Sequence, residues 1–189
     1  MERLFAHMER FIRLGPQDRD LLAGLLRQKE VEKKTFLLKE GRPCNHNIFV
    51  LRGCLRMYYI NDKGVEQIVQ FGIDNWWITD YSSYNSGGSS QFFIQSVEAS
   101  ELVFWDRDKE AQLYAQVPQL ERYFRLLLQR IAAAAQLRTR YMTDFSGEER
   151  YRHFAGSFPD FVQRVPQYML ASYLGFTPEF LSKIRAGKA

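Results

Sequence analysis

The chain has 189 residues, 46% of them hydrophobic, with 26 basic and 22 acidic side chains and two cysteines, Cys44 and Cys54. That is enough for one sizeable core and a small second domain. It excludes a disulfide scaffold and a four-thiolate iron–sulfur centre within one chain, and with no run of about 18 apolar residues no membrane span is expected.

The opening Met1-Glu-Arg-Leu-Phe-Ala-His7 does not read as a signal peptide, so a reducing cytoplasm is the expected compartment. Residues 1–30 carry a helical pattern, with Phe5, Met8, Phe11, Ile12, Leu21, Leu22, Leu25 and Leu26 recurring at three and four. Gly15-Pro16 interrupts it, and Asp18 or Asp20 lies near the next helix start. From Glu30 to Asp106 the pattern changes to short runs of Val, Ile, Phe and Tyr. Turn signals separate them at Glu40-Gly41, Arg52-Gly53, Asn61–Gly64, Ile73–Asn75 and Asn85–Ser90. Regular short strands predict a compact β barrel or double sheet.

Helix returns at Asp106–Ala115, and a longer helix begins near Pro118. Along it Leu120, Leu127, Ala134 and Tyr141 are seven apart, Phe124 and Ile131 fill the companion register, and Arg138 breaks it. A seam of this kind predicts a dimer interface. The alternative is a helix packed on its own β domain.

The last elements are two short helices. Leu170, Ala171 and Leu174 make a stripe on the first, and small Ala171 permits close approach of a second helix. Gly175 suits the left-handed position that ends a helix. Thr177 suits an N-cap, and Pro178 suits the first helical position, where its missing N–H costs nothing. Leu181 and Ile184 would face the core, leaving Glu179, Phe180, Ser182, Lys183 and Arg185 outward. Helix, glycine turn and polar-faced helix is the arrangement that reads DNA. A plain helical hairpin is the blander possibility. Charge favours the first: residues 1–115 hold 15 basic and 16 acidic side chains, 116–145 hold 5 and 2, and 146–189 hold 6 and 4. The basic excess lies where a polyanion would dock.

This order of elements resembles the cyclic-nucleotide-receptor and fumarate–nitrate family of bacterial transcription regulators. The segment from Glu40-Gly41 through Arg52-Gly53 to Asn61–Gly64 resembles the opening of that family's β-roll, with glycines at turns and apolar strands between. The resemblance implies an α+β fold with an N-terminal β-roll (a double-stranded β-helix of the cyclic-nucleotide-binding kind) and flanking helices at 1–115. A long dimerisation helix at 116–145 and an all-α helix-turn-helix at 146–189 follow. It also implies a homodimer on double-stranded DNA, RNA polymerase as a further partner, and a small-molecule effector of unknown identity in the β-roll. Thr177 to Arg185 match the recognition helix; Lys183 and Arg185 are the phosphate or guanine contacts. Glu179 stands where family members often read cytosine, although a carboxylate in a first helical turn also meets the helix dipole. Phe180 would touch a thymine methyl or shield the turn, and Thr177 and Ser182 complete the set.

Two departures follow. After Arg185 only Ala186-Gly-Lys-Ala189 remain, so the family's β-wing is not expected, and Arg138, Arg140, Arg150 and Arg152 are candidates to replace its phosphate contacts. The nucleotide signature, a Gly-Glu pair and an Arg followed by a small hydroxyl residue, has no match in Phe71–Asp80 or Ser89–Ile94. Between Gly64 and Asp106 there is no Lys or Arg, and burying a phosphate unpaired is costly. Backbone N–H groups of Gly87-Gly88 could still cradle one, and a cation could arrive from another segment. Binding of cAMP or cGMP is therefore not expected. A pocket would draw on Phe71, Trp76, Trp77, Thr79, Ser89, Ser90 and Gln91, unless the two tryptophans are core. Cys44 and His46 are too few for a metal site, no nucleophile–base pairing is visible, and neither cofactor nor enzymatic activity is expected. The expectation is a sequence-specific DNA-binding regulator; the alternative is a ligand-binding or scaffold module whose helix-turn-helix contacts protein.

Overall fold

A computed structural model describes residues 1–187, so Lys188 and Ala189, the end of the segment where no wing is expected, lie outside it. The described residues form two compact units: Met1–Tyr59 with Val69–Leu128, and Ile60–Ile68 with the chain from Gln129 onward.

In the first unit α1 (Glu2–Met8) and α2 (Pro16–Leu25) lead into the strands. Pro16 is the first residue of α2, and the Asp18 carboxylate accepts the Gly15 N–H at 2.8 Å. The helical pattern over 1–30 ends early, because Arg27–Val31 is strand β1. It pairs antiparallel with β8 (Ser100–Asp106) from Arg27↔Phe104 to Val31↔Ser100. Tertiary pairing overrides local periodicity there.

β2 (Phe36–Leu38), β3 (His46–Arg52), β4 (Cys54–Ile60), β5 (Glu66–Ile73), β6 (Trp77–Ile78) and β7 (Phe93–Ser96) complete two four-stranded sheets. Their orders are β1-β8-β3-β6 and β2-β7-β4-β5, the expected double sheet. Gly53 is obligatory at the β3–β4 turn. Its φ is +123°, and a Cβ there would lie 2.1 Å from Ser100 Oγ. The core is apolar and fully enclosed, with Leu4, Phe49, Leu55, Ile94, Leu102 and Trp105 all at 0% exposure. Each buried aliphatic of this size stabilises by about 1.5–3 kcal/mol.

The start of the expected turn at Asn85–Ser90 is helical, with Asn85 and Ser86 closing α3 (Tyr81–Ser86). Asp80 accepts from Ser82 N and Ser83 N, and α3 follows, ending at left-handed Gly87. A 3₁₀ turn at Arg107–Lys109 and α4 (Glu110–Gln116) precede α5 (Gln119–Asp144), which runs through both units.

The second unit adds α6 (Gly147–Ser157), α7 (Pro159–Arg164), α8 (Gln167–Leu174) and α9 (Pro178–Arg185). Its core holds Phe161, Val162, Leu170, Ala171, Leu174, Leu181 and Ile184. A capping box starts α6: Ser146 Oγ accepts from Glu149 N, and the Glu149 carboxylate accepts from Ser146 N. Those hydrogen bonds hold the Glu149 carboxyl below its ordinary range. The β4–β5 turn joins this unit too, because Ser172 Oγ accepts from Ile68 N at 3.0 Å and donates to Glu66 O at 3.1 Å.

Candidate nucleic-acid interface and sensor cleft

α8 and α9 form a helix–turn–helix unit, and each local feature has its residue. Met169, Leu170, Ala171 and Leu174 are the buried face of α8. Gly175 is left-handed (φ +77°), which lets its own N–H bond Ser172 O at 3.2 Å and Phe176 N bond Ala171 O at 2.9 Å. Thr177 Oγ1 accepts from Phe180 N at 3.2 Å, and Pro178 opens α9. Leu181 and Ile184 bury the inner face at 0 and 6% exposure.

The outer face carries Glu179, Ser182, Lys183 and Arg185, all exposed. Among the described residues no ion pair engages Glu179, Lys183 or Arg185. Thr177 is spent on the cap. The Phe180 ring lies against Phe176, with centroids 5.4 Å apart, and over Gly147, where an added Cβ would come 2.5 Å from its Cε1. It is still 40% exposed. Shielding the turn is therefore its visible role.

The four arginines proposed to replace a wing divide into two pairs. Arg138 donates to Tyr173 O at 3.0 Å and stacks 4.2 Å from the Tyr173 ring centroid. Arg150 donates to Leu174 O at 3.3 Å and stacks 4.8 Å from that of Phe176. Both are spent on the end of α8. Among the described residues, Arg140 and Arg152 make exposed i,i+4 pairs, with Asp144 at 3.3 Å and Glu148 at 2.6 Å. Such pairs hold their partners weakly.

The expected dimer seam needs correction. Leu120 (0% exposed) and Phe124 (6%) belong to the core of the first unit, where Phe124 packs on Trp77, Trp105 and Tyr123. Leu127 is partly buried against the same core. Of the other seam residues, Ile131 and Ala134 are exposed and Tyr141 is half-buried, stacked against Phe145 and His153. Every residue from Leu128 to Leu137 is exposed, and Leu128 (40%), Ile131 (37%) and Leu137 (49%) are apolar.

The residues expected to line a sensor pocket lie in different environments. Trp77 is core, 4% exposed, and its Nε1 donates to Tyr123 Oη at 2.7 Å. That hydroxyl also meets His7 Nδ1 at 2.8 Å, and burial raises its pKa. Phe71 is buried, Trp76 is 42% exposed, and Ser89 and Gln91 are exposed. Thr79 donates to His46 O at 2.9 Å. Ser90 donates to Asp80 Oδ2 at 2.7 Å. The Asp80 carboxylate, 4% exposed, thus occupies the start of α3. A cleft of about 260 Å³ lies instead between β2, the loop after it and β3, bounded by Phe36, Leu38, Lys39, Arg42, Ile48 and Ile94 among others. Its cations, Lys39 and Arg42, come from another segment than 64–106, which has none.

Residues 28–117 match the model of the cyclic nucleotide-binding domain family. An anaerobic regulatory protein of Pasteurella multocida is 25% identical over 185 residues, 90% of this chain, and the match spans 66% of that protein, just under two thirds. The c-di-GMP-responsive global regulator CLP of Xanthomonas campestris has the same fold at 11% identity, with TM-score 0.75 over 92% of this chain and 91% of that one. The catabolite activator protein of Thermus thermophilus, 18% identical, aligns with TM-score 0.57 over 92% of this chain and 83% of its own. Residues 28–117 thus resemble a cyclic nucleotide-binding domain, and over most of its length the chain is similar to an anaerobic regulatory protein.

Proposed function

We propose that the protein is a sequence-specific transcriptional regulator that reads duplex DNA as a homodimer. The observation that carries this reading is α9. Its inner face is buried through Leu181 and Ile184, while Glu179, Ser182, Lys183 and Arg185 stand outward and exposed. A helix presented this way suits the major groove, with Lys183 or Arg185 on guanine or phosphate and Glu179 on cytosine. The exposed apolar positions Leu128, Ile131 and Leu137 suit a second copy of α5, and paired reading heads match half-sites one helical turn apart. The whole protein's partners, RNA polymerase among them, and its cytoplasmic location belong to this proposal, as does the absence of catalysis.

The sensor is read as indifferent to cyclic nucleotides. Asp80 already caps α3 and takes the Ser90 hydroxyl, so a phosphate there would meet a buried carboxylate.

The test is genomic footprinting with the purified protein, followed by titration of the recovered duplex. Discrete footprints, and loss of several-fold or more of the affinity in Lys183→Ala/Arg185→Ala, are expected. Full affinity in that double variant would sink α9 as the reading helix. An α9 that binds protein would give no footprint at any salt concentration.

A further inference from the structure

The cleft on the first unit has a floor and a rim of different chemistry. Its floor is apolar: Leu38, Ile48 and Ile94 are 7, 2 and 0% exposed. Its rim is cationic. Lys39 and Arg42 are both exposed, and among the described residues neither is engaged by a carboxylate. Lys39 Nζ rests 5.0 Å from the ring centroid of Phe36, which is itself 42% exposed at the mouth.

Of the other polar side chains of the lining, Asn45 is exposed, and Cys44 and His46 each lie close to a polar neighbour. The Cys44 thiol lies 3.2 Å from Thr79 Oγ1 and 3.5 Å from His46 O. His46 Nδ1 lies 2.9 Å from Asp106, which also accepts two hydrogen bonds from Arg27 and has Lys109 at 3.7 Å. Among the described residues, the lining therefore offers two charges without a carboxylate partner, Lys39 and Arg42, both cationic and both at the entrance.

This division selects a ligand. Sugar hydroxyls or ring nitrogens pushed to the floor would lose water and find no side-chain partner, which is unfavourable. An apolar body loses nothing by burial there and gains from leaving water. A carboxylate at the entrance would meet an ammonium and a guanidinium, giving charge-assisted hydrogen bonds. The volume, below the ordinary range of drug-sized pockets, limits the body to about one small ring or a short chain.

We propose that this cleft binds a small organic monocarboxylate, its apolar body on Leu38, Ile48 and Ile94 and its carboxylate between Lys39 and Arg42. That such a ligand is the effector rests on the regulator reading above; that it binds does not.

The experiment uses the full chain, with benzoate, phenylacetate and hexanoate as probes and benzamide and inorganic phosphate as controls. Binding is followed by thermal shift and by amide chemical-shift mapping. At least one carboxylate should bind saturably at millimolar concentration or tighter, shifting amides around Leu38, Arg42 and Ile48. Benzamide and phosphate should bind at least tenfold more weakly. Lys39→Gln/Arg42→Gln, both exposed, should weaken the carboxylate at least tenfold, while Lys29→Gln/Lys33→Gln, an equal charge loss elsewhere, should not. No saturable carboxylate binding would overturn the proposal. So would equal binding of phosphate, or undiminished affinity in the rim variant. Titrating DNA separately keeps the two readings apart: a carboxylate that binds a protein with no DNA affinity upholds the cleft and defeats the regulator.

Discussion

Carbonyls at the end of a helix need donors, and α8 takes two from outside its own turn. Arg138 reaches Tyr173 O, and Arg150 reaches Leu174 O. Each guanidinium also lies on an aromatic face, of Tyr173 or Phe176. Arg150→Met keeps the stem and removes the donor, so it should lower the stability of the second unit by about 1–2 kcal/mol. Thermal unfolding checks this, and an unchanged midpoint would show that water serves the carbonyl equally well. In the first unit, the hydrogen-bonded Arg27 guanidinium holds the Asp106 carboxyl below its ordinary range. A depressed carboxyl contributes stability above its unfolded pKa, near 4, and loses it as pH falls through the folded value. Arg27 is half exposed, so the contribution is modest. Arg27→Gln should move the carboxyl titration of Asp106 upward, as read by carbon NMR; an unmoved titration would assign the depression to His46 and Lys109 instead.

At the scale of elements, α5 changes character along its length. Its start is a core helix: Leu120, Tyr123 and Phe124 are buried. Its middle, Leu128–Leu137, is exposed throughout. The seven-residue spacing of Leu120 and Leu127 was legible, but periodicity records only that one face is apolar. It does not say whether a sheet or a second copy covers that face. The two alternatives separate experimentally. Ile131→Glu should convert a dimer to monomers in light scattering while leaving the monomer folded. Leu120→Ala should instead cost about 2–5 kcal/mol of stability and leave association intact. If Ile131→Glu remains dimeric, the copies meet elsewhere. The helix–turn–helix was more legible than α5 because its signals are local: Gly175, Thr177 and Pro178 each fix one backbone geometry. By contrast, β1 and the cleft depend on long-range pairing, with Arg27–Val31 held by β8 and Lys39 and Arg42 brought to a floor that includes Ile94. No local pattern encodes those meetings.

For the molecule as a whole, charge is distributed so that the residues from 116 onward carry the basic excess, 11 basic against 6 acidic, while 1–115 are nearly balanced. A reading head built this way should bind DNA with a steep salt dependence, and the slope separates two roles for the same side chains. A cation on a phosphate releases counterions, and each such contact contributes about −0.9 to the slope of log K against log salt. A cation on guanine contributes mainly to discrimination between sequences. If Lys183 and Arg185 both sit on phosphates in each half of a dimer, Lys183→Ala/Arg185→Ala should flatten the slope by about 3–4 and weaken all duplexes alike. If one of them reads guanine, the flattening should be about half as large, and affinity should fall most for the footprinted sequence. A slope unchanged in the double variant, with specificity also unchanged, would move the DNA contact off α9, and Arg140 and Arg152, whose surface pairs are weak, would be the next residues to replace.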